Sequence, residues 1–116
     1  MEHEPRWELT VIETFDAAHF LPDYDGPCRN MHGHTWRVEI SWSFASVDQG
    51  AYPGVAMCFT ELKRQVRAIL PDHQLLNDAL SFTPTAENIA RWLCEELGAV
   101  RVAVWESDTS YATYIP

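Results

Sequence analysis

Apolar and polar positions alternate with period two in four stretches of the chain and recur with helical spacing in two others. From Trp7 to Phe15, the residues Trp7, Leu9, Val11, Glu13 and Phe15 share one face, with Glu8, Thr10, Ile12 and Thr14 on the other, which predicts a strand. The alternation is cleanest where His34, Trp36, Val38, Ile40, Trp42 and Phe44 oppose Thr35, Arg37, Glu39, Ser41 and Ser43. Such a pattern predicts a half-solvated antiparallel strand, paired with the first. Turn chemistry separates the two at Pro22 to Asn30, around Asp25-Gly26-Pro27, and the stretch Asp48 to Gly54 turns the chain again. Phe59, Leu62, Val66, Ile69 and Leu70 predict an amphipathic helix over about 59–70. A second helix is expected to begin at the N-cap Thr85, with Glu87 near its positive end, Ile89, Trp92, Leu93 and Leu97 as its buried stripe, and Gly98 as its stop. Val100, Val102, Val104 and Glu106 then share a strand face, and Tyr111 to Ile115 predict a short last strand. The order strand, strand, helix, helix, strand, strand implies an α+β fold: an antiparallel four-stranded sheet with two helices on one face.

A chain of 116 residues with no repeat and no linker is expected to form one domain, residues 1–116. A domain this size buries only about two-thirds of its unfolded surface, so a bound metal or an oligomer interface would add useful stability. The net charge of -9 argues against nucleic acid as a partner. Of the basic residues, only Lys63, Arg64 and Arg67 cluster, and they read as the solvated face of a helix. A small anionic substrate stays compatible if the positive field is local, from a metal and Arg29. No run of about twenty apolar residues is present to span a membrane. The acidic start Met1-Glu2-His3-Glu4-Pro5 lacks the order of a signal peptide, so an intracellular, cytoplasmic location is expected. Cys28, Cys58 and Cys94 form no CxxC pair and suit reduced thiols.

Four of the five histidines fall within short polar motifs, His3 being apart from them. His32 and His34 flank Gly33 at the entrance to the long strand, where positions i and i+2 project to one side and both imidazoles could reach one ion. Gly33 removes a side chain where the backbone could bend. If the two strands pair, His19 at the end of the first lands beside them. Three imidazoles around zinc leave a fourth position open, as in a catalytic site, although iron, nickel or cobalt would also suit them and hydrogen-bonded histidines without metal show similar spacing. Cys28 lies four residues before His32; near a dication and Arg29 its thiol would ionise more readily and act as base or nucleophile, the alternatives being a fourth metal ligand or a small buried side chain. Asp72 beside His73 could orient and activate that imidazole for proton transfer, or simply end a helix. Glu106 ends an apolar strand face, where a carboxylate needs a partner, either as a ligand anchor or as an ion-pair member.

Taken as a set, Phe15-Asp16-Ala17-Ala18-His19-Phe20-Leu21, Cys28-Arg29-Asn30-Met31-His32-Gly33-His34, Asp72-His73-Gln74-Leu75-Leu76-Asn77, Pro84-Thr85-Ala86-Glu87-Asn88 and Trp105-Glu106 strongly resemble the 6-pyruvoyltetrahydropterin synthase family, in order and over nearly the whole chain. The Cys-x3-His-Gly-His spacing resembles the 6-carboxytetrahydropterin synthase branch, which serves 7-deazapurine (queuosine-type) biosynthesis. The resemblance implies a T-fold whose subunits join their sheets into a barrel, commonly a homo-oligomer of six chains built as a dimer of trimers, with active sites between subunits. It implies Zn2+ at His19, His32 and His34, Cys28 as catalytic thiolate, Asp72 and His73 as its acid/base partners, and Glu106 holding the pterin ring. The implied reaction converts 7,8-dihydroneopterin triphosphate to 6-carboxytetrahydropterin, acetaldehyde and triphosphate. Rival expectations are elimination of triphosphate alone to give the pyruvoyl product, a catalytically silent zinc or pterin-binding module, and a zinc hydrolase, the last of which leaves Cys28 and Glu106 unexplained. Two departures stand out. Cys58 replaces the Asp that usually precedes the first helix, a change expected to cost about 1 kcal/mol of capping rather than activity. Ser107-Asp108 follows Glu106 where Thr-Pro is common.

Overall fold

The computed structural model describes residues 4–48, 50 and 52–116. His3 and part of the 48–54 turn therefore lie outside the described residues. The order of elements is β1 (Trp7–His19), a 3-10 turn (Pro27–Arg29), β2 (His32–Phe44), α1 (Phe59–Ile69), β3 (Gln74–Leu75), α2 (Leu76–Ala79), α3 (Ala86–Leu97), β4 (Arg101–Ser107) and β5 (Ser110–Tyr114). The sheet order is β3-β1-β2-β4-β5.

The two long strands form an antiparallel ladder that runs unbroken from Trp7 opposite Phe44 to His19 opposite His32. Their shared face is the one the alternation predicts. Val11, Phe15, Trp36, Val38 and Ile40 are buried there against Leu62 and Val66 of α1, Ile89, Ala90 and Leu93 of α3, and Val102 and Val104 of β4. Each large apolar side chain so buried contributes roughly 1.5–3 kcal/mol before entropy is counted. The indole N–H groups of the two buried ladder tryptophans are satisfied: Trp36 Nε1 donates to the Ala17 carbonyl at 3.2 Å and Trp42 Nε1 to that of Leu97 at 3.0 Å. The opposite face, with Thr10, Ile12, Arg37 and Arg101, is exposed.

The helix ends follow their caps. Thr85 Oγ1 accepts the Asn88 N–H at 3.1 Å, and Gly98 ends α3 in the left-handed region at φ 62°, where a side chain would be strained. Cys58 caps α1 without a side-chain hydrogen bond, as the loss of the usual acceptor implies.

The sheet departs from expectation in one respect. It has five strands, because Gln74–Leu75 adds a two-residue strand parallel to β1, opposite Ala17–Ala18, and the single turn α2 follows it. Two residues cannot display an alternation, so this strand leaves no periodic mark. It is docked by backbone chemistry: the His73 N–H donates to the Asp16 carbonyl at 2.6 Å, and the Asp16 N–H donates to Asp72 Oδ1 at 2.9 Å. Strand β1 runs to His19, four residues beyond the alternating stretch, and β2 begins at His32, two residues before its own. Ladder pairing carries the weak strand formers Asp16, Ala17 and Ala18 along.

Candidate metal centre

The ladder register decides where the three motif histidines meet. His19 is the last residue of β1 and stands opposite His32, the first of β2; His34 stands opposite Ala17. All three continue the core-facing side of the sheet beyond Trp36, where the hydrophobic core gives way to the loops. Ring centroids lie 4.5 Å apart for His19–His32, 5.1 Å for His19–His34 and 4.8 Å for His32–His34. Trp36 seals the inner side, its ring 4.9 Å from that of His19 and 5.3 Å from that of His34. Gly33 stands opposite Ala18 in the ladder, and a Cβ there would meet nothing within 4 Å.

The ring nitrogens divide their duties. His19 Nδ1 lies 2.7 Å from the Pro84 carbonyl, and His32 Nδ1 lies 2.7 Å from that of Asn30. A carbonyl only accepts, so each Nδ1 carries the proton and each Nε2 keeps its lone pair. His19 is fully enclosed, and its Nε2 and that of His34 are buried with no hydrogen-bond partner among the described residues. Burial holds the His34 pKa below the ordinary imidazole value, against the opposing pull of Glu106. His19 thus combines a carbonyl-anchored Nδ1 with a buried, unpartnered Nε2, while His32 shows the anchor and His34 the free Nε2, features that suit a donor set for a divalent first-row metal.

Glu106 joins this cluster, which the strand pattern alone does not foretell. Strand β4 pairs with β2 as far as Trp105 opposite Arg37, and the next residue turns its carboxylate into the histidines. Oε1 lies 3.1 Å from His34 Nε2 and 3.8 Å from His19 Nε2. The donor atoms of His19, His32, His34 and Glu106 all fall within 4.8 Å of one another.

The other candidate residues lie outside this group. Cys28 sits in the 3-10 turn, partly buried and unpaired, its carbonyl accepting the Leu21 N–H at 2.8 Å. Asp72 and His73 pair with each other, Nδ1 to Oδ2 at 2.9 Å, although neighbours in sequence usually point apart. The backbone at His73 makes this geometry, with φ at 57°, a left-handed conformation that a side chain adopts at some cost. The Asp16 N–H, and then the His73 imidazole, hold the Asp72 carboxyl below the ordinary carboxylate range. Asp16, whose own carboxylate accepts the Thr35 hydroxyl at 2.6 Å, completes a second group with Asp72 and His73. The His73 side chain is 77% exposed, beside an open cavity of about 530 Å³ that Gly33, His34 and Thr35 also line.

A family described as 6-pyruvoyl tetrahydropterin synthase matches residues 8–116. The chain belongs to that family. It is 36% identical over 122 residues to a Synechocystis sp. protein named 6-carboxy-5,6,7,8-tetrahydropterin synthase, covering 93% of this chain and 92% of that one. A Bacillus subtilis protein of the same name is 32% identical over 134 residues, covering 99% and 89%. The fold matches the solved structure of Caenorhabditis elegans 6-pyruvoyl tetrahydropterin synthase with a TM-score of 0.83 over 100% of this chain and 99% of that one, at 24% identity. The T-fold is thus established, its sheet extended here by the short β3. No helix among the described residues is long and apolar enough to cross a membrane.

Two contributors to the site went unassigned in the sequence. Asn77 clamps Phe20, next to His19, by accepting its N–H at 3.0 Å and donating to its carbonyl at 2.9 Å. The Pro84 carbonyl fixes His19, which gives the Pro-Thr-Ala-Glu-Asn motif a second task beside capping α3.

Proposed function

We propose that this chain is a zinc-dependent lyase that converts 7,8-dihydroneopterin triphosphate, with water, to 6-carboxy-5,6,7,8-tetrahydropterin, acetaldehyde and triphosphate, a reaction of 7-deazapurine (queuosine-type) biosynthesis in the cytoplasm. The observation that carries this reading is the convergence of His19, His32 and His34, with the Nδ1 atoms of His19 and His32 anchored on carbonyls, the Nε2 atoms of His19 and His34 buried without a partner among the described residues, and His34 at the rim of an open cavity. The spacing of Cys28 to His32 and the names of the Synechocystis and Bacillus relatives support the carboxy product over the pyruvoyl one.

His19, His32 and His34 would hold the metal, which when bound supplies a positive charge that stabilises negative charge developing on the substrate side-chain oxygens. Glu106 accepts N–H groups of the pterin ring and fixes its orientation. The Cys28 thiolate removes protons from the side chain, and His73, oriented by Asp72, returns them. Loss of triphosphate leaves a pyruvoyl side chain; addition of water across the bond between its two carbonyl carbons gives the carboxylate and acetaldehyde.

The exposed Asp72–His73 pair is not part of the histidine donor group, although His73 and His34 line the same cavity. The family resemblance supports a homo-oligomer, built as a dimer of trimers, in which the exposed His73 of one copy meets the Cys28 of another. The test is mass-spectrometric product analysis of the zinc-loaded protein with 7,8-dihydroneopterin triphosphate. Acetaldehyde with the carboxy product is expected. A pyruvoyl product would reassign the chain to triphosphate elimination alone, and an unchanged substrate would remove the lyase reading. Cys28→Ala is expected to abolish turnover while zinc stays bound.

A further inference from the structure

We propose that Glu106 is the fourth ligand of the substrate-free metal centre, and that an incoming pterin draws it off, so that one carboxylate both closes the site at rest and opens it to substrate. This rests on the reading that His19, His32 and His34 hold the metal.

Distances carry the first part. Four donors about 2.0–2.1 Å from a tetrahedral zinc stand roughly 3.4 Å from one another. Glu106 Oε1 lies 3.1 Å from His34 Nε2 and 3.8 Å from His19 Nε2, which brackets that spacing. The contacts are not hydrogen bonds, since both nitrogens lack a partner despite their closeness to the carboxylate. A carboxylate set beside the partnerless Nε2 atoms of His19 and His34, in one donor group with His32, calls for a cation between them. The other donor that sequence offers for the fourth corner, the Cys28 thiol, does not join the group.

The second part follows from where Glu106 sits. It is the last inward-facing residue of β4, and its side chain is 35% exposed, so the carboxylate can turn toward solvent without disturbing the core. Ring N–H groups of a pterin compete with the metal for the same oxygens. Once they take the carboxylate, the fourth corner is free for the oxygens of the substrate side chain. Water and adventitious anions are meanwhile kept from the metal.

The test uses the full-length chain loaded with one equivalent of Co2+, whose visible absorption bands report donor set and coordination number, with azide as an external ligand. Wild type without pterin is expected to give bands that azide leaves unchanged. E106Q keeps the side-chain shape but not the charge, and is expected to shift the bands and make them azide-sensitive. Its Zn2+ affinity, measured by competition with a chromophoric chelator, is expected to fall about tenfold or more, since even an outer-shell change costs that much. Neopterin added to wild type is expected to confer azide sensitivity too. Superimposable spectra of wild type and E106Q, azide-sensitive in both, would overturn the role of Glu106 while leaving the histidine centre standing. A wild-type chain that takes up no Co2+ would overturn both.

Discussion

Replacing Asn77 with Ala removes the clamp on Phe20 and should cost about 2 kcal/mol of folding free energy. The figure comes from two hydrogen bonds, Phe20 N–H to Oδ1 at 3.0 Å and Nδ2–H to the Phe20 carbonyl at 2.9 Å. Each is worth about 0.5–1.5 kcal/mol net, and the partly buried setting, where water cannot fully replace the lost partner, places both toward the upper half of that range. Asn77→Asp keeps the acceptor for the N–H but turns a carboxylate oxygen toward a carbonyl, so it should cost at least as much. The assay is urea unfolding of metal-free protein at one fixed chain concentration, because an assembling chain has a concentration-dependent stability. With a slope of about 2 kcal/mol/M, the midpoint should fall by roughly 1 M. A change below about 0.5 kcal/mol would refute the clamp. Phe20 follows His19, so zinc affinity should fall as well. A destabilised variant with wild-type affinity would show that the clamp holds β1 and α2 together without placing the imidazole.

Other predictions follow from the caps and from titration. Cys58→Asp should restore a side-chain acceptor at the start of α1 and stabilise the chain by about 1 kcal/mol in urea unfolding. Thr85→Ala, which removes the acceptor for the Asn88 N–H, should cost about 1 kcal/mol in the same assay. The His34 pKa is lowered in the fold by burial, so the unfolded chain binds its proton first as pH falls. Stability of the metal-free protein should therefore rise with pH through the window below about 6.5, the ordinary imidazole value. The urea midpoint compared at pH 5.5 and 7.5 measures this rise, and His34→Gln should flatten it.

The long elements were legible because their length let a period show. Trp36, Val38 and Ile40 alternate against Arg37 and Glu39, and burial follows that alternation residue by residue. The meeting of His19 with His32 and His34 was legible for the same reason: once two strands pair, i and i+2 positions share a side. What escaped depends on contacts between distant segments or on backbone conformation. Glu106 reaches the imidazoles only because of the β2–β4 register, which no local pattern encodes. The Asp72–His73 pair needs a left-handed residue that is not glycine, and β3 needs the Asp16 carbonyl to accept the His73 N–H and the Asp16 N–H to donate to the Asp72 carboxylate.

Titration of the metal-free protein with Zn2+ in a calorimeter tests the central claim most directly, comparing wild type with His19→Ala, His32→Ala, His34→Ala and Cys28→Ala. The account predicts one zinc per chain in wild type and in Cys28→Ala, with tight binding lost in each histidine variant. Tight stoichiometric binding that survives His32→Ala and His34→Ala would place the metal elsewhere and contradict it.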